Sequence, residues 1–398
     1  MSQLQTDFSQ LRSFLSHLAT IKGDLSNISA PPFLLSPIST TELPASWVSH
    51  PDLFLQPARE DSASRRALLV LKNFLCSLKS QLRAAGAPNK PLNAFLGELF
   101  IGETGTGQPT RVITEQASHH PPVTACAAYN RAAGISSIGY VAQETTFGPF
   151  SGVRVRQVGH AILRDERHGE SHLRTPLPTV CVKGLVTGRA RLELEGTCYV
   201  VSSSGYLSTV EFLGTGNAVR AEVRCVRKGE EGHGDGKKVF EVTGQWDGRL
   251  TTWECVTGTV VETFHVDEIP ARELRVEPVE AQSPWESRRA WAGVYEGIRA
   301  GDMSRVRAEK NKIEEAQRQI REAERRANAE WPAVFFRRAK ESPEFAILSR
   351  AIPDPEAREL APDRTAGVWE FVGFDAAEAL IEEGIYHRAL EPTGQRID

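Results

Sequence analysis

From residue 99 to residue 281, apolar and polar side chains alternate with a period of two, and this constrains the fold more than any other feature. Arg191-Leu192-Glu193-Leu194-Glu195 and Arg220-Ala221-Glu222-Val223-Arg224-Cys225 are two such runs. A strand with one wet face reads this way, because successive side chains leave a pleated chain on opposite sides. Turn signals punctuate the runs at Gly214-Thr215-Gly216-Asn217, at Asp247-Gly248 and in the polar stretch from Lys228 to Lys238. Many short strands so spaced predict one large antiparallel sheet, closed or nearly closed, since closure hides edge groups that would otherwise pair with other chains. A wide barrel has room for a cavity; a two-layer sandwich is the alternative that the same pattern allows.

Helical periodicity flanks this block. Leu4, Phe8, Leu11, Phe14, Leu15 and Leu18 recur at steps of three and four, which predicts a short amphipathic helix ending at Gly23-Asp24. Such a helix either packs on the core or serves as a movable or membrane-touching segment. Residues 58–84 give a second helical block, with Leu68, Leu71, Leu75, Leu78 and Leu82 along one side and Lys72, Lys79 and Gln81 interrupting it. Beyond Pro284, Trp291, Val294, Tyr295 and Ile298 form an apolar stripe, and 302–330 reads as a long charged helix. The expected class is therefore α+β. The apolar runs stop well short of the roughly 20 residues of a spanning helix, so membrane contact is expected to be peripheral. A net charge of -4 gives no global pull toward nucleic acid. Six scattered cysteines without a C-x-x-C suit reduced thiols and argue against structural zinc.

The stretch with most chemistry in it is Glu115-Gln116-Ala117-Ser118-His119-His120-Pro121-Pro122. Proline fixes its own φ and restricts the residue before it, so two imidazoles here sit at a stiff corner. A metal site, an acid/base pair and an anion-binding corner are the readings open to them, beside a plain pair of hydrogen-bonded surface histidines. Metal is disfavoured, because neighbours in extended chain point to opposite sides. A hydrolase using Ser118 with His119 or His120 would need supporting motifs, and no G-x-S-x-G, H-E-x-x-H or Gly-rich phosphate loop is present. On the charged helix, Lys310, Glu314 and Arg318 are spaced so that all three share one side.

The octapeptide resembles the E-Q-V-S-H-H-P-P signature of the oxysterol-binding-protein-related lipid-transfer family, with Ala117 in place of Val. Lys90-Pro91-Leu92-Asn93-Ala94-Phe95-Leu96-Gly97-Glu98 resembles the same family's K-P-L-N-P-F-L-G-E element, with Ala94 in place of Pro. The resemblance, to the short single-domain fungal members, runs over roughly residues 7 to 330. It implies a nearly closed antiparallel β-barrel around a lipid tunnel, with a lid over residues 1–29, a helical region over 30–98, the barrel over 99–281 and a C-terminal helical region over 282–398. It further implies that Lys90, Leu92 (through its backbone amide), Asn93, His119, His120, Lys310, Glu314 and Arg318 hold a phosphoinositide headgroup. Trp47, Gln81 and Gln157 match positions at the floor of the family's sterol tunnel. Leu82 and Val141 stand where close relatives carry Tyr and Asn, which weakens hydroxyl recognition there. Leu11, Phe14, Leu25 and Ile28 would belong to the lid.

The implied function is exchange of a sterol for phosphatidylinositol 4-phosphate between organelle membranes by a monomer without cofactor or metal. The implied location is the cytoplasm, peripherally on Golgi, endoplasmic reticulum or other membranes. A lipid-dependent sensor without net transport and a carrier of another apolar lipid are the alternatives; an enzyme is not expected. No pleckstrin-homology or ankyrin region fits before residue 30, so targeting is expected from the lipid-binding domain itself. Val372-Gly373-Phe374-Asp375-Ala376-Ala377-Glu378 faintly resembles a two-phenylalanine acidic-tract motif, but Gly373 replaces an aromatic residue, and an ordinary helix is the preferred reading.

Overall fold

The computed structural model describes residues 13–21, 24–25, 30–148, 151–185, 190–226, 236–329, 331–384, 386–387 and 391–394. The alternating block folds into one antiparallel sheet of 13 strands, running in space nearly in chain order from Leu99–Thr104 at one edge to Thr259–His265 at the other. One place in that order is shared. Glu170–Thr175 and Thr179–Lys183 both pair with Gly152–Asp165 and with Arg191–Ser202. Pro176 and Pro178 lie between the two short strands, and proline has no N–H to give a ladder, so the chain breaks there and resumes.

The two edge strands do not pair with each other among the described residues. The Leu99–Thr104 edge is instead covered by the chain that leaves the far end of the sheet. Glu103 and Arg275 exchange backbone hydrogen bonds of 2.8 and 2.7 Å, and Leu99 N–H donates to the Trp285 carbonyl at 2.9 Å.

Helix Ala63–Ala84 packs its apolar side onto the inner face of the second half of the sheet. Leu71, Phe74, Leu75 and Leu78 are fully buried, packed with Leu194, Val210, Phe240, Trp246 and Leu250. Each side chain so placed contributes about 1.5 to 3 kcal/mol. The lysines that interrupt the stripe have partners at the far end of the sheet. Lys72 Nζ lies 2.6 Å from a Glu262 carboxylate oxygen and Lys79 Nζ lies 2.8 Å from Asp267. Polar residues in an apolar stripe thus tie the helix to the last strand and the turn after it. That part of the sheet is filled by protein, and the cavity described below is lined by Val153, Val155, Val180, Val182 and Leu192, nearer the middle of the sheet.

The stripe beyond Pro284 forms helix Ala292–Ala300, and the charged helix spans Met303–Ala327. They pack as a pair through buried Val294, Tyr295, Val306 and Ile313. The Asp302 side chain accepts from Arg305 N–H at 3.0 Å and caps the second helix. Further on, Phe335 and Phe336 are fully buried, and Phe336–Ala339 pairs with Val368–Phe371. Helix Phe374–Glu383 comes next, its Phe374 ring 4.7 Å from that of Tyr129 and its Glu378 accepting from the Tyr129 hydroxyl at 2.7 Å. Asp375 pairs with Arg131 at 2.8 Å, so the faintly motif-like stretch is used in packing against the sheet.

Candidate functional site

The two family-like sequence elements are zipped together. Gln116 N–H donates to the Glu98 carbonyl at 2.8 Å, and Gly97 N–H donates to the Gln116 carbonyl at 2.9 Å. Gly97 has φ +79°, and a Cβ added there would lie 2.4 Å from the Trp331 ring, so both conformation and space require glycine. Strand Thr110–His119 shifts register against Pro122–Asn130 between Gln116 and Ser118, a bulge at Ala117. The Gln116 side chain serves this bulge, donating to the Ser118 carbonyl at 2.8 Å and accepting from the Thr124 hydroxyl at 2.8 Å. A bulge re-aims the side chains beyond it, here that of His119.

His119 Nδ1 lies 3.2 Å from the Ala94 carbonyl, which can only accept, so this nitrogen carries the proton. Ala94 N–H in turn donates to the Thr40 hydroxyl at 3.2 Å, a bond that a proline in its place could not make. The two imidazoles meet edge to face, with centroids 4.6 Å apart. Lys90 hydrogen-bonds Asn93, and Lys310 hydrogen-bonds Glu314. Leu92 is fully buried, at the end of a short strand that pairs with Leu35–Ser39.

Charges from three chain regions act on one another here. Burial, then the charge of Lys310, pulls Lys90 down to about 8, with Glu314 opposing. Burial, then His120 and Arg321, pulls His119 down to about 4, against the Ala94 carbonyl and Glu314. His120 is lowered by burial and by Arg321. Lys90, His119, His120, Lys310 and Glu314 are thus brought together. Arg318 is 63% exposed and lies nearer Glu315, at 3.4 Å, than Glu314, at 3.9 Å. Arg321, which spacing does not single out, acts on both imidazoles, and only its place one helical turn beyond Arg318 could have suggested it.

Such a cluster suits a phosphate. Binding of a phosphomonoester at this mouth is expected to weaken as pH rises from 7 to 9, because Lys90 loses its proton near 8, below an ordinary lysine. Both histidines are held below their ordinary range, so an arriving anion raises their affinity for protons and binding takes up protons at neutral pH. Calorimetry in buffers of different ionisation enthalpy checks this; binding that is flat from pH 7 to 9 with no proton uptake contradicts it.

Below the mouth lies an apolar cavity of about 210 Å³. It is lined by Lys90 and Asn93, by Val153, Val155, Val180 and Val182 from the sheet, and by Phe14, Leu15, Leu18 and Leu25 from the N-terminal segment. In the covering segment, Leu25 N–H donates to the Thr145 carbonyl at 2.7 Å and Thr145 N–H donates to Asp24 at 2.6 Å. Leu11 and Ile28, also expected in the cover, lie outside the described residues. A second chamber of about 50 Å³ shares Thr40, Leu43, Gln81, Gln143 and Gln157 with the first. Trp47, Gln81, Val141 and Gln157 are among the residues that line it. Leu82 is placed higher, on the wall of the upper chamber, because it lies at the last turn of its helix. Gln157 donates to the Pro178 carbonyl at 3.0 Å, which fixes its amide. Trp47 stacks on Phe74 with centroids 5.8 Å apart. Arg174, absent from the expected set, also lines this chamber, since alternation along a strand does not reveal which inward position meets a cavity.

Comparison with known proteins places this architecture. The sequence model described as "Oxysterol-binding protein" matches residues 13–294. The chain is 37% identical over 391 residues to "Probable transporter efuK" of Hormonema carpetanum, covering 94% of this chain and 54% of that protein, so it spans about half the length of that relative. Protein kes1 of Schizosaccharomyces pombe is 36% identical over 359 residues, covering 86% of this chain and 90% of the relative. Among solved structures, the Osh1 ORD domain in complex with ergosterol is similar with a TM-score of 0.71 at 18% identity, covering 94% of this chain and 90% of that one. The Osh3 ORD of Saccharomyces cerevisiae in complex with PI(4)P is similar with a TM-score of 0.66 at 19% identity, covering 96% and 94%. On the family match and the relatives' identity, this chain belongs to the oxysterol-binding protein family.

Proposed function

We propose that this protein carries one lipid at a time between organelle membranes, exchanging a sterol-type lipid for phosphatidylinositol 4-phosphate. The observation that carries the reading is a cationic mouth set directly over a covered apolar cavity. Lys90, Asn93, His119, His120 and Lys310, with the Leu92 amide, hold the headgroup; Glu314 orients Lys310, and Arg318 and Arg321 add charge from the same helix. The lipid body fills the chambers, with Trp47, Gln81 and Gln157 at the buried end. Two proteins of the same fold, one in complex with ergosterol and the other with PI(4)P, support a shared cavity for both lipid types. With Nδ1–H held by the Ala94 carbonyl, Nε2 is the His119 atom that takes up a proton and donates to the headgroup phosphate.

One cavity holds one lipid body, so the two lipids compete although their polar ends touch different residues. Lys310→Ala removes a charge-assisted contact of about 1.5 to 3 kcal/mol and is expected to weaken the phosphoinositide roughly 10- to 100-fold. Gln81→Ala is expected to weaken only the sterol. Liposomes carrying a fluorescent sterol and phosphatidylinositol 4-phosphate measure both. Simultaneous one-to-one binding of the two lipids, or undiminished phosphoinositide binding by Lys310→Ala, overturns the reading.

A further inference from the structure

The lower chamber contains a cation with no carboxylate facing it. Arg174 is 4% exposed and projects from strand Glu170–Thr175. Its guanidinium lies 5.1 Å from the Trp47 ring centroid and donates from one terminal nitrogen to the Ser137 hydroxyl at 2.6 Å. Its Nε is buried without a hydrogen-bond partner. Among the described residues no Asp or Glu lines this chamber. Burial, opposed only by the neighbouring Cys126, pushes the guanidinium down to about 10. Arginines elsewhere in the sheet region are placed differently: buried Arg66 meets Glu170, and half-buried Arg364 meets Glu144.

A guanidinium presents parallel N–H groups in a fixed fork that matches a carboxylate. A buried charge left unpaired is costly, and a buried donor without an acceptor calls for an explanation. The chamber is large enough for a small planar group and too small for a ring system. We propose that the lipid this protein holds best is a sterol-sized apolar molecule bearing a carboxylate at its buried end, taken by Arg174 in the lower chamber. This deepens the reading of the cavity as a lipid site and rests on it. A floor of neutral amides alone suits a hydroxyl; Arg174 changes the preferred end group to an anion. Cargo selection then acts at both ends, with phosphate recognised at the mouth by cations from separate chain regions and carboxylate at the floor by Arg174.

Displacement of a bound fluorescent sterol by lithocholic acid, by its methyl ester and by cholesterol tests this at neutral pH. The acid and its ester differ chiefly in the charge offered to the floor. Wild-type protein is expected to prefer the acid by a factor of about ten or more, the scale of one charge-assisted contact. In Arg174→Met the preference of acid over ester is expected to fall to about one. Arg174→Lys keeps the charge but loses the fork and is expected to fall between. Equal displacement by acid and ester in the wild type overturns the inference whatever the variants do, and assigns Nε to a buried water. An unchanged ratio in a folded Arg174→Met, or in Arg174→Lys should the methionine variant not fold, overturns it as well. If cholesterol displaces the probe and the acid has no advantage, only this inference fails; if none of the three displaces it, the reading of the cavity as a lipid site fails.

Discussion

Changing His119 and His120 together to alanine is expected to lower phosphatidylinositol 4-phosphate binding by a factor of about 100 or more while leaving the protein folded. Each imidazole that gains a proton on meeting phosphate supplies a charge-assisted bond of about 1.5 to 3 kcal/mol, and the pair acts on one group. His119 gives up one hydrogen bond to Ala94, and His120 is exposed. The neighbouring backbone is held by Gln116 and the Gly97–Glu98 bonds, which the substitutions do not touch. Extraction from liposomes, read beside a thermal unfolding curve, decides the matter. A folded double variant that extracts as well as the wild type would show that the phosphate is held elsewhere.

Glu115→Leu is expected to cost about 3 kcal/mol or more of stability with no change in the residues of the mouth. The Glu115 carboxylate accepts three backbone N–H groups, from Val334 at 2.7 Å, Phe335 at 2.8 Å and Phe336 at 3.2 Å. Burial raises this carboxyl to about 7 against those three donors. Leucine leaves the three amides with nothing to bond, at about 1 to 3 kcal/mol each, offset in part by removal of a buried acid. Urea unfolding measures the loss, and Glu115→Gln, which keeps one acceptor, is expected to lose less. A leucine variant within about 1 kcal/mol of wild type, on the scale of an ordinary surface change, would mean that the segment 334–336 is not anchored by this side chain.

The acidic residue of the octapeptide is thus structural, and this marks the limit of what its pattern shows. Alternation from 99 to 281 announces the sheet, because period two is a property of each strand by itself. Pro176 and Pro178 mark the break between two of its strands. Helix Ala63–Ala84 is legible as an amphipathic helix, yet the same stripe would serve a helix on the outside of a sheet, so its filling of one half of the interior is not. Lys72 and Lys79 look like interruptions because their partners, Glu262 and Asp267, are almost two hundred residues away. At the mouth, Lys90, His119, His120, Lys310 and Glu314 are reached through resemblance; spacing along the chain carries no distance between three separate regions. Arg321 is hidden among the many charges of its helix, and Arg174 among the outward-facing arginines of other strands. Only their neighbours in space set these two apart.

The helix lodged in one half of the sheet has a further consequence. A cavity bounded on all sides by flexible loops could swell to admit a longer guest, but this one abuts a packed core that gives way only at the cost of its own cohesion. The floor therefore works as a fixed stop. On the proposed reading, a molecule that reaches it while its polar end sits level with Lys90 would let the covering segment settle, with Leu25 and Asp24 both bonded to Thr145. A longer one would prop that segment up. The fold would then gauge length as a calliper does, with the reading taken at the rim.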